Sequence, residues 1–293
     1  LSQKSVSMQP GATAPDVYAP GPLGELTQII DPELVDAVLE DTGAREQRLR
    51  LLPARGVVYF VLAFAFFERS SYRAVWDKLT AGLGAVPVAC PCASSLSRAR
   101  RRVGSAPLRR LFKVLAGPVA DRGQSCAFYR GWRLVAVDGT TLSAPDEEAV
   151  TWYYRKHIGK VRTFGHQLVR LVAIVECGTR AVLDAAFGPD HTGELAYARR
   201  LLGSLDTSML LLADAYHDAF DFVQAVADTG AGFLLRSTRK RRPTLRHALP
   251  DGSYLTTIIS REHRAGRGYE RLEVRVVEAW ITVTLADGTR RTE

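Results

Sequence analysis

Apolar positions recur at helical spacing through the first third of the chain, and after Trp132 they close up into the short runs that strands use. Asp31-Pro32 opens one helix as N-cap and first helical residue, with Leu34, Val35, Val38 and Leu39 as its apolar face. A second helix is predicted over 53–68, and a third over 72–79 behind the capping serines Ser70 and Ser71. The stretch from Gly82-Leu83-Gly84 to Pro91 breaks the pattern. Two short basic segments follow, 94–102 and 108–113, with Gly104 and Pro107 between them.

Beyond Trp132 the pattern predicts a strand over 134–137 ending at Asp138, then strands over 167–176 and 181–187 joined as a hairpin through Cys177-Gly178-Thr179. A helix over 193–205, a buried strand over 209–213 ending at Asp214, a helix over 219–227 and a strand over 232–235 come next. Three strands in hairpin order, then helix, strand, helix, strand, is the order of a ribonuclease H-like core. From Thr244 onward strand texture returns, with Asp251-Gly252 and Asp287-Gly288 as hairpin turns and strands over 272–277 and 280–285. The expected fold class is α+β, laid out as a disordered leader (1–22), a helical N-terminal domain (23–118), an α/β core (132–238) and a β-rich segment (239–293).

Composition adds the partner. Of 293 residues 46% are hydrophobic and 24% charged, enough for one large domain or two ordinary ones. The formal net charge is +8 with a pI near 9.5, and its excess is almost entirely Arg, so a polyanion must be considered. The longest apolar run, 57–67, falls well short of the roughly 20 residues of a membrane helix. The opening residues lack the order of a signal peptide, and Cys90-Pro-Cys92 has one residue between its thiols where zinc motifs have two to four. A cytoplasmic chain with reduced, inert thiols is expected.

Asp138 and Asp214 each stand directly after a short apolar strand. If those strands are parallel neighbours, the two carboxylates meet at their ends and can hold Mg²⁺ or Mn²⁺. Taken singly, each also reads as structure: an Asp-Gly turn at Asp138, a helix N-cap at Asp214. The basic segments, with Arg98, Arg100, Arg101, Arg102, Arg109 and Arg110, suit either a helix-turn-helix variant touching phosphates or two solvated helix faces. Arg239, Lys240, Arg241 and Arg242 follow the last core strand, where phosphate binding is preferred over a merely solvated loop. Trp280 reads as a core or sheet-face residue rather than a base-stacking one. The Asp-Gly-Thr text also occurs in haloacid dehalogenase-type phosphatases, but their nucleophile position is Ala136 here, which excludes that chemistry.

Several segments together resemble the insertion-element-4 family of transposases: Leu52-Pro53-Ala54-Arg55, Ser71-Tyr72-Arg73-Ala74-Val75-Trp76-Asp77-Lys78-Leu79, Val137-Asp138-Gly139-Thr140-Thr141-Leu142, Leu171-Val172-Ala173-Ile174-Val175-Glu176-Cys177-Gly178-Thr179-Arg180 and Leu211-Leu212-Ala213-Asp214. They fall in family order from about residue 23 to the end. The resemblance implies an N-terminal DNA-binding module and a ribonuclease H-like catalytic core with a β-rich insertion. It makes Asp138 and Asp214 the first two of three metal-binding acids, expects Mg²⁺ or Mn²⁺, and expects a dimer acting on terminal inverted repeats and target DNA. Two departures stand out. After the second Asp the family has Arg, then Gly or Asn, then an aromatic residue, where this chain has Ala215, Tyr216 and His217. The family's third acid follows a Tyr, two residues, Arg, three residues, Glu pattern; here only Tyr197 has Arg at the third place, Arg200, and Ser204 stands where Glu should be. Neither Glu278 nor Glu293, both in strand-like sequence, replaces it. The expectation is a transposase chain cut off before its last core helix, with impaired activity; the alternative is a non-catalytic remnant that binds element-end DNA.

Overall fold

The computed structural model describes residues 22–48, 50–83, 88–145, 148–154, 156–158, 163–237, 241, 243, 247–260, 270–279, 282–285 and 288–292. The chain divides into two compact units, Leu1–Leu115 and Ala116–Glu293. The fold is α+β, helices alone being described in the first unit and a mixed sheet with helices in the second.

The first unit holds α1 (Pro22–Ile29), α2 (Pro32–Asp41), α3 (Ala54–Ala63), α4 (Tyr72–Thr80), α5 (Ala93–Val103) and α6 (Ala106–Leu115). Pro22, expected in the leader, already begins α1, since a proline is tolerated in a first helical turn. Local chemistry starts α2 and α4: Asp31 Oδ1 accepts the Glu33 amide at 2.6 Å, and Ser71 Oγ accepts the Ala74 amide at 3.3 Å. Helix α3 has almost no polar face, and Val57, Val58, Tyr59, Phe60 and Ala63 are all buried. It stops short of the expected 68, because past Ala63 the amides of Phe64, Ala65 and Phe66 bond three residues back and tighten the chain into a turn. Phe60, Phe64, Tyr72 and Trp76 pack edge to face around its end. Helix α5 buries Leu96, Ala99 and Val103 on one face and leaves its arginines on the other.

The second unit is built on β1 (Phe128–Tyr129), β2 (Trp132–Ala144), β3 (Lys156–Ile158), β4 (Thr163–Glu176), β5 (Val182–Pro189), β6 (Met209–Ala213) and β7 (Gly232–Leu235), with α7 (Glu148–Tyr153), α8 (Glu194–Leu201) and α9 (Phe220–Asp228) between them. Strand β4 pairs antiparallel with β2 on one side and with β5 and β3 on the other, while β2, β6 and β7 are parallel neighbours. Helices α8 and α9 cover one face, where Tyr197, Ala198, Leu201, Phe222 and Val226 close on Val135, Val137, Val172, Ile174 and Leu211.

The first core strand does not end at Asp138. Strand β2 runs on to Ala144, because its antiparallel ladder with β4 continues unbroken from Val135↔Glu176 to Ala144↔Gln167. The β-branched Thr140 and Thr141 suit that extended run. Strands β8 (His247–Ala248) and β9 (Tyr254–Ile259) form a hairpin turning at Asp251-Gly252, where Gly252 has φ +84°, and β10 (Arg271–Val276) pairs with β9. Ile258, Leu272 and Val274 of this smaller sheet pack on Phe220, Val223, Phe233 and Leu235. A last hairpin joins β11 (Thr282–Thr284) to β12 (Arg290–Thr292). Glu278 is exposed just beyond β10, and residues 1–21, Trp280 and Glu293 lie outside the described residues.

Candidate active site

Register brings the two aspartates together. Strands β2 and β6 pair in parallel from Arg133↔Met209 to Ala136↔Leu212. Asp138 stands two residues beyond Ala136, and Asp214 two beyond Leu212, so both occupy the same row of adjoining strands, spaced about 4.8 Å apart. Asp214 keeps an extended backbone, φ −80° and ψ 179°, so the alternation of side chains carries through it. Both residues are exposed.

Each aspartate commits one oxygen locally. Asp138 Oδ1 accepts the Gly139 amide at 2.8 Å. Asp214 Oδ1 accepts the Tyr216 amide at 3.0 Å, capping the short 3-10 turn Ala215–His217, and lies 2.8 Å from His217 Nδ1. Among the described residues neither Oδ2 has a hydrogen-bond partner. Two hard oxygens on one row fit a divalent ion such as Mg²⁺, which takes one or two protein carboxylates and retains water. Among the described residues no three His, Cys, Asp or Glu side chains gather as a ready-made metal cluster.

A third carboxylate sits on the helix side of the same two strands. Glu194 opens α8, and a Cβ placed on Gly139 would lie 2.5 Å from its Cδ. Its Oε2 accepts from Arg170 Nη1 at 3.2 Å, and Arg170 Nη2 donates to Asp190 Oδ1 at 2.5 Å. Its Oε1 lies 3.8 Å from Nε2 of His217, whose side chain is fully buried against Phe222. In the sequence His217 stands out only as a departure from the family text, and neither Glu194 nor Arg170 carries a signal there.

The family model of the transposase DDE domain matches residues 130–287, more than half of the chain, and that of the insertion element 4 transposase N-terminal region matches residues 20–113. The chain belongs to the insertion-element-4 family of DDE transposases. It is 27% identical over 196 residues to the transposase InsG for insertion sequence element IS4 of Escherichia coli K12, a match covering 66% of this chain and 43% of that protein. It is 28% identical over 141 residues to the putative transposase InsZ of the same organism, covering 47% of this chain and 46% of that one. The chain thus spans less than half the length of these relatives.

In this transposase chain the basic residues fall into two groups. Arg98, Arg101 and Arg109 are exposed and form no ion pair among the described residues; Arg98 donates to Ser95 Oγ at 3.2 Å. Arg100 stacks over Tyr72, with its guanidinium carbon 5.4 Å from the ring centre. Arg102 donates to Glu46 at 3.0 Å and to the Leu52 carbonyl at 2.7 Å, and Arg110 donates to Asp41 at 2.6 Å. Arg241 is bound at 2.7 Å to Asp218, whose side chain is only 2% exposed, so it anchors the chain beyond β7. Arg239, Lys240 and Arg242 lie outside the described residues. No described helix is long and apolar enough to cross a membrane.

Proposed function

We propose that this chain supplies DNA binding and two of the catalytic acids for cleavage and strand transfer of an insertion sequence, with Asp138 and Asp214 holding Mg²⁺ or Mn²⁺. The observation that carries it is the shared row of these two aspartates at adjoining parallel strands, each with Oδ2 left over. The order β5-β4-β2-β6-β7, three strands in antiparallel sequence followed by two parallel ones, supports reading the core as ribonuclease H-like. A bound divalent ion supplies Lewis-acid stabilisation of charge developing around phosphorus.

In the proposed reaction a water oxygen forms a bond to phosphorus at the element end while the bond from phosphorus to the 3′-oxygen breaks, and that oxygen leaves as a 3′-hydroxyl. The hydroxyl then attacks a target phosphodiester, expelling the target 3′-oxygen in turn. Asp138 and Asp214 fix where the phosphorus sits relative to the sheet end, and such positioning accounts for much of the rate in phosphoryl transfer. The N-terminal helices hold duplex DNA through Arg98, Arg101 and Arg109, and a dimer would pair two ends.

Purified chain incubated with duplex terminal repeats and Mg²⁺ or Mn²⁺ should nick the element end only weakly, as two acids of three allow, and Asp138→Ala or Asp214→Ala should abolish even that nick. Cleavage that survives both substitutions overturns the assignment. Tight binding of the repeats without any nick supports instead a chain that binds element ends only.

A further inference from the structure

Glu194 touches the surroundings of both proposed acids, and no part of the two-acid reading uses it. We propose that Glu194 and His217 are positioning residues that hold Asp138 and Asp214 from the helix side of the sheet; this rests on the reading of those aspartates as the metal-holding pair.

Glu194 lies against the backbone of β2 at the residue after Asp138, in space that exists because position 139 has no side chain: a Cβ there would be 2.5 Å from Cδ and 2.7 Å from Oε2 of Glu194. The glycine of Val-Asp-Gly therefore serves the carboxylate behind it. Arg170 grips Oε2, and Asp190 grips Arg170, so one end of Glu194 is fixed to β4 and to the residue following β5. The other oxygen faces His217 Nε2 at 3.8 Å.

His217 carries the link across to β6. Its Nδ1–H donates to Asp214 Oδ1 at 2.8 Å, since an ionised carboxylate only accepts. Its Nε2 is buried and has no hydrogen-bond partner among the described residues, Glu194 being the carboxylate it faces. A phenyl ring would pack on Phe222 as well without burying two nitrogens. The nitrogens are explained if their task is orientation. In metal sites the group behind a ligand sets its direction, and losing that group weakens metal binding by roughly 10–100-fold. Here Asp190, Arg170 and Glu194 form one such series behind Gly139, and His217 forms a second behind Asp214 Oδ1, leaving Oδ2 as its outward donor; the two series face each other across 3.8 Å without a hydrogen bond.

The test uses the full chain in two arms. In Mn²⁺ titrations followed by electron paramagnetic resonance, His217→Phe should keep the native melting temperature within a few degrees yet weaken Mn²⁺ binding at least about tenfold. His217→Asn, whose amide N–H stands where Nδ1–H does, should recover affinity to within about threefold of native. Glu194→Ala and Gly139→Ala should each weaken Mn²⁺ about tenfold, which keeps the test alive if His217→Phe does not fold. In the second arm, ¹⁵N spectra of the metal-free protein should show His217 Nδ1 protonated, and Asp214→Ala should shift that signal. Native affinity in His217→Phe and Glu194→Ala, with Asp138→Ala defective, overturns the positioning role alone. If Asp138→Ala and Asp214→Ala both bind Mn²⁺ like the native chain, the two-acid reading falls, and the nitrogen spectra then decide the link: an unprotonated Nδ1, or a signal that Asp214→Ala leaves in place, overturns it, and a signal that shifts in Asp214→Ala supports it.

Discussion

Replacing Glu176 by Gln should cost the second unit about 3 kcal/mol, for reasons that can be followed atom by atom. Glu176 ends β4 with a fully buried side chain that accepts from the Arg133 guanidinium, the Thr179 hydroxyl and, at 2.9 Å, the Ala120 amide. It thereby ties the segment before β1 and the β4–β5 turn to the sheet. The Gln variant keeps the shape but turns one acceptor oxygen into an N–H donor surrounded by donors, and it leaves Arg133 without its counter-charge. Removing one member of a buried pair costs about 3–5 kcal/mol. Arg133 retains the Ala120 carbonyl at 3.1 Å and its stacking on Phe128, and its side chain is 17% exposed, which places the cost at the lower end. For a unit of this size about 1 kcal/mol moves Tm by about 2–4 °C, so a drop of roughly 6–12 °C is expected. Burial pushes the Glu176 carboxyl up, but Thr179, the Ala120 amide and Arg133 together outweigh it and hold the group below the ordinary carboxylate range. A group depressed in the folded state stabilises fully above its unfolded value, about 4.3, and loses that contribution as pH falls through the folded value. Thermal melts of native chain and Glu176→Gln by circular dichroism should therefore show the full gap at pH 7 and a closing gap below about pH 4. A gap under about 1 kcal/mol at pH 7, or one that widens in acid, refutes the reasoning.

Three further outcomes are expected. Hydrogen bonds from Ser94 and Ser95, each hydroxyl 3.2 Å from the sulfur, pull the exposed Cys92 thiol down to about 6, so alkylation of that residue, followed by peptide mass spectrometry, should rise with a midpoint near that pH; Ser94→Ala should move the midpoint up, and a native midpoint near the free-thiol value of about 8.5 would contradict the geometry. Arg101→Ala and Arg109→Ala should each weaken duplex binding across sequences and flatten the salt dependence by about one unit of slope in fluorescence anisotropy titrations. Arg102→Ala should instead lower Tm, because it releases Glu46 and the Leu52 carbonyl; an unchanged salt slope in both surface variants would move the DNA face elsewhere.

Elements fixed by local chemistry were legible in the chain text. The starts of α2 and α4 could be read from Asp31 and Ser71 because cap and capped amide lie within three residues of each other. The apolar run of β6 announced itself because that strand lies between β2 and β7 in the parallel ladder. Elements held by distant partners were not legible. Asp138 through Ser143 is mostly polar and reads as a turn, and only the β4 ladder keeps it extended. The short β1, β3 and α7 gave no usable period, and the early end of α3 follows from a change of hydrogen-bond spacing after Ala63 that no residue type there signals.

The same division runs through the candidate site, and it bears on how a structural role should be weighed against a chemical one. Asp138 and Asp214 were visible because each follows its own apolar run, and the plain alternatives do not hold as stated: Asp138 lies inside the β2 ladder rather than in a turn, its Oδ1 accepting the next amide, and Asp214 caps the 3-10 turn Ala215–His217 rather than helix α9. These roles do not compete with metal binding, since each consumes Oδ1 and leaves Oδ2. They assist it, because a carboxylate pinned through one oxygen presents the other in a fixed direction. Glu194 left no such trace, since its relation to Gly139 and His217 exists only once α8 has packed across β2 and β4. Gly139 was the one local clue, and it was ambiguous: a glycine after Asp reads as a turn, whereas inside a paired strand it marks a place where something must come close. With Gly139 paired to Val172 in mid-ladder, the second meaning applies, and the carboxylate that comes close is Glu194.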